Sequence, residues 1–509
     1  MIRLLVSLVL IALAPQLHAG GKAEHVVLMV WDGLRGDFVT KENAPNLSAL
    51  AASGVHFRHH HSIYPSLTSV NATALATGVY PNRSGMISNW GWRPEISGGK
   101  LTRMDFPETI RKGDELTGGH YLNAPTIAEL VTARGGRTAI AGTKTAPLLH
   151  QRNPRGTAVT LFRGTTLPES ALAPIVDLLG TFPAKDETPN VAADSWTTRA
   201  LTESLWRDGV PEFSLLWMSE PDYSQHASGP GTKDSLGAIA SDDNNLALVL
   251  RTLAAKGVAD KTDVMVASDH GFSTIDRHID VPEILIGKGF NIATDKHAKL
   301  ARGQIRIAPN GGMNLYYIGE HDSATAARLV EALQQSNFAS VIFTREKIDG
   351  AFPMSEVHVD LADGPDVLMT FKWNDRTNEN GTPGMIDITQ TGDPNRGTHG
   401  SLSPFDLHNI FIAAGPDFRR GMQDDFPTSN LDVAATIMHI LGLTTPEPLD
   451  GRVVSEALSE GDAHQSNVER KPIEASRQFA NGTWRETLRR SQLGTSIYID
   501  EGDGGFTPK

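Results

Sequence analysis

EHVVLMVWDG, residues 24–33, is the most informative stretch of this chain. Its β-rich run predicts a strand over 24–31 that stops at Asp32-Gly33. Outward from it, strands and helices alternate. Residues 45–53 read as a helix stopped by Gly54, and 66–77 as a second helix set between Pro65 and Gly78. Further helices are predicted over 124–133, 244–255 and 431–441. Further strands are predicted over 138–141, 213–219 (FSLLWMS), 263–268 and 409–414. Strands separated by helices imply an α/β fold with a mostly parallel central sheet covered by helices on both faces. Residues 274–395 break the alternation with short strands among Gly, Pro and Asn turns, and read as an inserted cap subdomain. The expected division is a catalytic domain over 20–458 and a polar C-terminal appendage over 459–509. There is no internal repeat.

The N-terminus reads as a processing segment. Arg3 precedes an apolar run over 4–14, Pro15 breaks it, and Ala19 offers the small residue of a cleavage site. A signal peptide over 1–19 is expected, with a periplasmic or secreted protein and no stable membrane insertion after cleavage. The formal net charge is −13, which argues against a nucleic-acid polymer as ligand, since phosphate backbones need basic grooves. The chain has no cysteine. Disulfides, thiolate catalysis and zinc–sulfur sites are therefore excluded, and a metal must be held by His, carboxylate or hydroxyl.

Ligands in open α/β sheets bind beyond the carboxyl ends of the strands. Three predicted strands end in acidic motifs: Asp32-Gly33, Glu220-Pro221-Asp222 with His226 four residues on, and Asp269-His270-Gly271. Carboxylates converging on one sheet edge repel, and divalent metal is the usual compensation. Taken singly, each motif has a plainer reading: a turn, an i,i+4 ion pair, a chance dipeptide. His399, in Gly397-Thr398-His399-Gly400, alone reads as a loop histidine. Thr68 opens the helix predicted over 66–77. It reads either as an N-cap or as a nucleophile placed where the helix N-terminus favours a phosphoryl group. His59-His60-His61 looks like a metal tract, yet compositional His runs are weak evidence.

The run YPSLTSVNATALATGVYP over 64–81, continued by GMISN over 85–89, resembles the nucleophile segment of the nucleotide pyrophosphatase/phosphodiesterase family of the alkaline phosphatase superfamily. Pro221-Asp222, His226, Gly229-Pro230, Asp269-His270-Gly271 and His399-Gly400 follow in that family's order. The resemblance implies two zinc ions. Asp222, His226 and His399 would hold one; Asp32, Asp269, His270 and the Thr68 oxygen would hold the other. It further implies hydrolysis of a phosphodiester or pyrophosphate bond through phosphothreonine at Thr68, with Asn89 donating to a phosphoryl oxygen. The partner is then a small phosphoester. Two departures matter. Ser69 stands where nucleotide-cleaving members usually carry Phe. Gly142-Thr143-Lys144-Thr145 resembles a lysine-bearing segment of phosphonoacetate hydrolases, which makes Lys144 a candidate substrate-binding residue or else a solvated surface lysine. The alternatives are a phosphonate hydrolase, a phosphomonoesterase, and a metal- or phosphate-binding protein without catalysis.

Overall fold

The computed structural model describes residues 21–183, 188–293, 299–389, 394–461 and 467–509. The expected signal segment 1–19 lies outside them. At the centre is a nine-stranded sheet. Its strands are β1 (His25–Trp31), β2 (Val55–His61), β3 (Thr138–Gly142), β4 (Val159–Phe162), β5 (Thr165–Leu167), β6 (Phe213–Met218), β7 (Thr262–Ala267), β8 (Phe411–Ala414) and β9 (Met422–Ser429). The spatial order is β9-β2-β8-β7-β1-β6-β3-β4-β5. The pairs β7-β1, β1-β6, β6-β3, β3-β4 and β2-β9 are parallel. β8 runs antiparallel to both its neighbours, and β5 to β4. The α/β architecture with a mostly parallel sheet is therefore present as expected.

β1 shows why both faces are covered. Val26, Leu28 and Val30 point into one core with Ala72 and Leu75 of helix α2 (Thr68–Thr77) and Val433 and Ile437 of helix α5 (Asn430–Ile440). Val27, Met29 and Trp31 point into the other. They pack there with Leu47 and Leu50 of helix α1 (Pro45–Ser53) and with Ile239, Leu246 and Val249 of helix α4 (Lys233–Ala255). Successive side chains of a strand face opposite ways, so an apolar run without polar gaps needs two cores. Helix α4 starts eleven residues before the predicted 244. Thr232 caps it by accepting from the Ser235 amide, and Ile239 and Asp242 turn inward. Strands β2 (VHFRHHH) and β9 (MQDDFPTS) had no apolar signature, yet they pair in parallel.

Residues 273–398 carry a five-stranded sheet, mostly antiparallel, and strands of a smaller four-stranded one. The C-terminal strands Ile473–Phe479, Gly482–Leu493 and Ser496–Pro508 pair in antiparallel order. Among the described residues no helix is long and apolar enough to cross a membrane.

Candidate active site

Four neighbouring strands, in the order β7, β1, β6, β3, deliver charged residues at or just beyond their carboxyl ends. They supply Asp269 and His270, then Asp32, then Asp222, then Lys144. Asp222 heads the short helix α3 (Asp222–Ser228), which places His226 one turn later on the same side. His399 arrives separately, just after the short strand Gly397–Thr398.

Each carboxylate uses its two oxygens differently. Asp32 Oδ2 accepts from Trp217 Nε1 at 2.8 Å and from Lys144 Nζ at 2.8 Å. Asp222 Oδ2 accepts from the same Lys144 Nζ at 2.8 Å. Asp269 Oδ1 accepts from the amides of Gly33 (3.0 Å) and His270 (3.1 Å). The second oxygens, Asp32 Oδ1, Asp222 Oδ1 and Asp269 Oδ2, are buried with no hydrogen-bond partner. Unpaired buried oxygens are costly, and three in one place need an explanation. The imidazoles supply half of it. His226, His270 and His399 each place Nδ1 against a backbone carbonyl: Gly397 at 2.9 Å, Gly271 at 2.9 Å and Ser66 at 2.8 Å. That contact makes Nδ1 the donor in each ring and turns every Nε2 toward the carboxylates, the arrangement metal-ligating histidines use.

These oxygens and the Nε2 atoms fall into two groups. His226 Nε2 lies 3.3 Å and His399 Nε2 3.8 Å from Asp222 Oδ1. His270 Nε2 lies 3.2 Å from Asp269 Oδ2, 3.7 Å from Asp32 Oδ1 and 3.1 Å from Thr68 Oγ1. Donor atoms of Asp222, His226 and His399 all lie within 4.8 Å of one another, as do those of Asp32, Asp222 and His270. Asp222 thus stands between the groups. Electrostatics point the same way. Burial and then the neighbouring Asp269 push Asp32 well above the usual carboxylate range, and burial raises Asp269 too. Asp222 goes the other way: burial opposes its charge, but Lys144 and then His226 hold it well below. Burial and the stacked His270 ring, 3.5 Å away between centroids, keep His399 neutral, well below the usual imidazole range. Three buried carboxylates beside one ammonium and three imidazoles suit divalent cations with N and O ligands.

Thr68 is the first residue of α2, not its cap. Leu67 occupies the cap position in an extended conformation, and no side chain of that residue bonds the helix. The Thr68 hydroxyl turns to His270 instead. The Ser69 amide is satisfied by Asn89 Oδ1 at 2.7 Å. Asn89 is itself set by Asn310, whose Oδ1 accepts from the amides of Asn89 (3.1 Å) and Trp90 (2.7 Å). All seven expected donor residues, together with Asn89 and Lys144, therefore meet at one sheet edge. Lys144 is buried, not solvated. The His59–His61 tract stands elsewhere. His60 bonds Thr428 Oγ1 (2.9 Å) and Asn430 Oδ1 (3.0 Å), and Asn430 in turn donates to Asn71 and to the Asp269 carbonyl. Trp217 and Asn310 were not singled out in the sequence. Trp217 reads there only as one apolar residue of a buried strand, and Asn310-Gly311-Gly312 reads as a turn.

The fold is of the α/β, alkaline phosphatase-like class, and the donor set offers candidate metal-binding groups of Asp and His. Residues 26–401 match the family model for type I phosphodiesterase/nucleotide pyrophosphatase. The chain belongs to that family. Human ectonucleotide pyrophosphatase/phosphodiesterase family member 7 is 22% identical over 438 residues, 86% of this chain and 83% of that protein. Venom phosphodiesterase 2 of Crotalus adamanteus is 22% identical over 271 residues, 52% of this chain and 28% of the venom protein. Among solved structures, murine ectonucleotide pyrophosphatase/phosphodiesterase 5, in an inactive form in complex with AMP, superposes with a TM-score of 0.62. Its sequence identity is 16%, over 86% of this chain and all of that one.

Proposed function

We propose that the chain hydrolyses small phosphodiesters or pyrophosphates with two zinc ions and Thr68 as nucleophile. The observation that carries the reading is the set of three buried carboxylate oxygens without partners, facing three Nε2 atoms whose rings are pinned through Nδ1. Asp222, His226 and His399 would hold one ion, and Asp32, Asp269, His270 and Thr68 the other. Bound there, zinc supplies Lewis acidity toward the attacking and leaving oxygens of an in-line displacement. The protein supplies the rest. Thr68 Oγ1, held at the N-terminus of α2, attacks phosphorus and the ester oxygen leaves. Asn89, its Oδ1 already committed to Ser69, offers its Nδ2 protons to a non-bridging oxygen. Water then cleaves the phosphothreonine. The segment around Lys144 was the one signal for a phosphonate hydrolase. Its ammonium is engaged by Asp32 and Asp222, which favours the diester reading. An exported, periplasmic or secreted setting remains part of this proposal.

Thr68→Ala tests the reading. Turnover of bis-p-nitrophenyl phosphate should fall by several powers of ten, on the order of 5 kcal/mol or more in barrier, while the melting temperature stays close to wild type. Thr68→Ser should retain substantial activity. Chelator should abolish activity and zinc restore it. A Thr68→Ala protein that turns over near the wild-type rate would end the nucleophile assignment, and p-nitrophenyl phosphate as the better substrate would end the diester assignment.

A further inference from the structure

Lys144 sits where a substrate anchor would be wasted. Its Nζ has three protons, and two acceptors lie 2.8 Å away: Asp32 Oδ2 and Asp222 Oδ2. The Tyr223 ring lies 5.2 Å from Nζ. Lys144 is only 6% exposed. The loop that carries it is tied on both sides. The Thr143 amide donates to the Trp217 carbonyl at 3.0 Å, Thr143 Oγ1 to Thr197 Oγ1 at 3.0 Å, and Thr145 Oγ1 to the buried Asp105. Both lysine partners use Oδ2, and the Oδ1 of each, the oxygen nearer the histidine Nε2 atoms, has no hydrogen-bond partner. Asp32 and Asp222 are also joined through the main chain, the Asp222 amide donating to the Asp32 carbonyl at 2.9 Å. A backbone bond at one end and an ammonium at the other thus fix the relative placement of two carboxylates from different donor groups.

We propose that Lys144 is a positioning residue that clamps Asp32 and Asp222 together, aiming the free oxygen of each at its own metal and making the two metal sites one mechanical unit. The proposal rests on the two-zinc reading above. It differs in sign from a role by charge alone. A buried ammonium acting only through Coulomb repulsion would weaken cation binding, so its removal would tighten it. A clamp acts the other way. Without it Asp222 Oδ2 loses its one ammonium partner, Asp32 Oδ2 keeps only Trp217 Nε1, the link between the two carboxylates is gone, and the two sites loosen together. Loss of such outer contacts to metal ligands costs about 10–100-fold in metal affinity.

The test is zinc binding to the metal-free full chain by competition with a chromophoric chelator, for wild type and Lys144→Met, with circular dichroism to verify folding. Wild type should take two zinc ions. Lys144→Met should bind both about 10–100-fold more weakly, and its cobalt form should show an altered visible spectrum. At saturating zinc its KM for the diester should stay within about threefold of wild type while kcat falls, the pattern of lost transition-state geometry. If Lys144→Met does not fold, Lys144→Gln decides on the same criteria. Zinc binding that is unchanged or tighter overturns the proposal, and a raised KM beside unchanged zinc binding assigns Lys144 to the substrate instead. Wild-type protein that takes no zinc ends the two-zinc reading, and this one with it.

Discussion

Asn89 does two things with one amide, and the two can be separated. Its oxygen takes the Ser69 amide at the start of α2, and in the proposed mechanism its nitrogen donates to the substrate. Asn89→Ala removes both. It should cost about 1 kcal/mol of stability through the lost helix-end bond and ~100–1,000-fold in kcat through the lost phosphoryl donor. Asn89→Asp keeps the acceptor and deletes the donor. Its urea midpoint should match wild type while its kcat falls at least as far as that of the alanine variant. Equal kcat for wild type and Asn89→Asp would remove Asn89 from the phosphoryl contact. Thr68 and Asn89 were readable as candidates because they lie on one short segment of known pattern. The partner that orients Asn89 was not, because Asn310 is 221 residues away in sequence.

At the scale of elements, the C-terminal strands show what polarity conceals. Along Gly482–Leu493 burial alternates, and Trp484, Glu486 and Leu488 are fully buried. Trp484 packs into the core of the 273–398 region, with Phe371 and Tyr316, and its Nε1 donates to the Gly350 carbonyl at 2.9 Å. Glu486 accepts from the amides of Ile342 (2.9 Å) and Phe352 (3.2 Å). Trp484→Ala should therefore destabilise by ~3–5 kcal/mol. Urea unfolding followed by circular dichroism measures this, and a loss under 1 kcal/mol would show that these strands are not part of the cooperative core. Long strands with a polar face read as loop when the apolar face is thin, and β2 escaped notice for the same reason.

At the scale of the whole molecule, stability should depend on pH through a pair of acids at the opposite end of β7 from Asp269 and His270. Asp263, at the start of β7, is pushed up to about 9, first by burial and then by Asp417 beside it. Asp417 is held by the amides of Lys22 (2.6 Å) and Ala23 (2.8 Å). A carboxyl with a raised folded value stabilises fully below its unfolded value of 3.8, and that contribution is lost as pH rises through about 9. Asp263→Asn stays neutral throughout. The difference in melting temperature between Asp263→Asn and wild type should be near zero at pH 4 and grow steadily toward pH 9, in favour of the variant. A gap that does not change with pH would show that Asp263 keeps an ordinary acidity in the folded protein.

The amino-acid sequence by itself determined the alternation of strands and helices, the acidic residues at three strand ends and the candidate nucleophile. These are local properties: apolar runs, Gly and Pro punctuation, and motifs a few residues long. Only the tertiary structure decided which oxygen of each carboxylate is free, which nitrogen of each histidine faces it, and which groups Lys144 touches. Those depend on Trp217, Ser66, Gly397 and Lys144 arriving from distant parts of the chain. A hydrogen bond across 333 residues, such as that from His399 to the Ser66 carbonyl, leaves no pattern in the residues on either side of it.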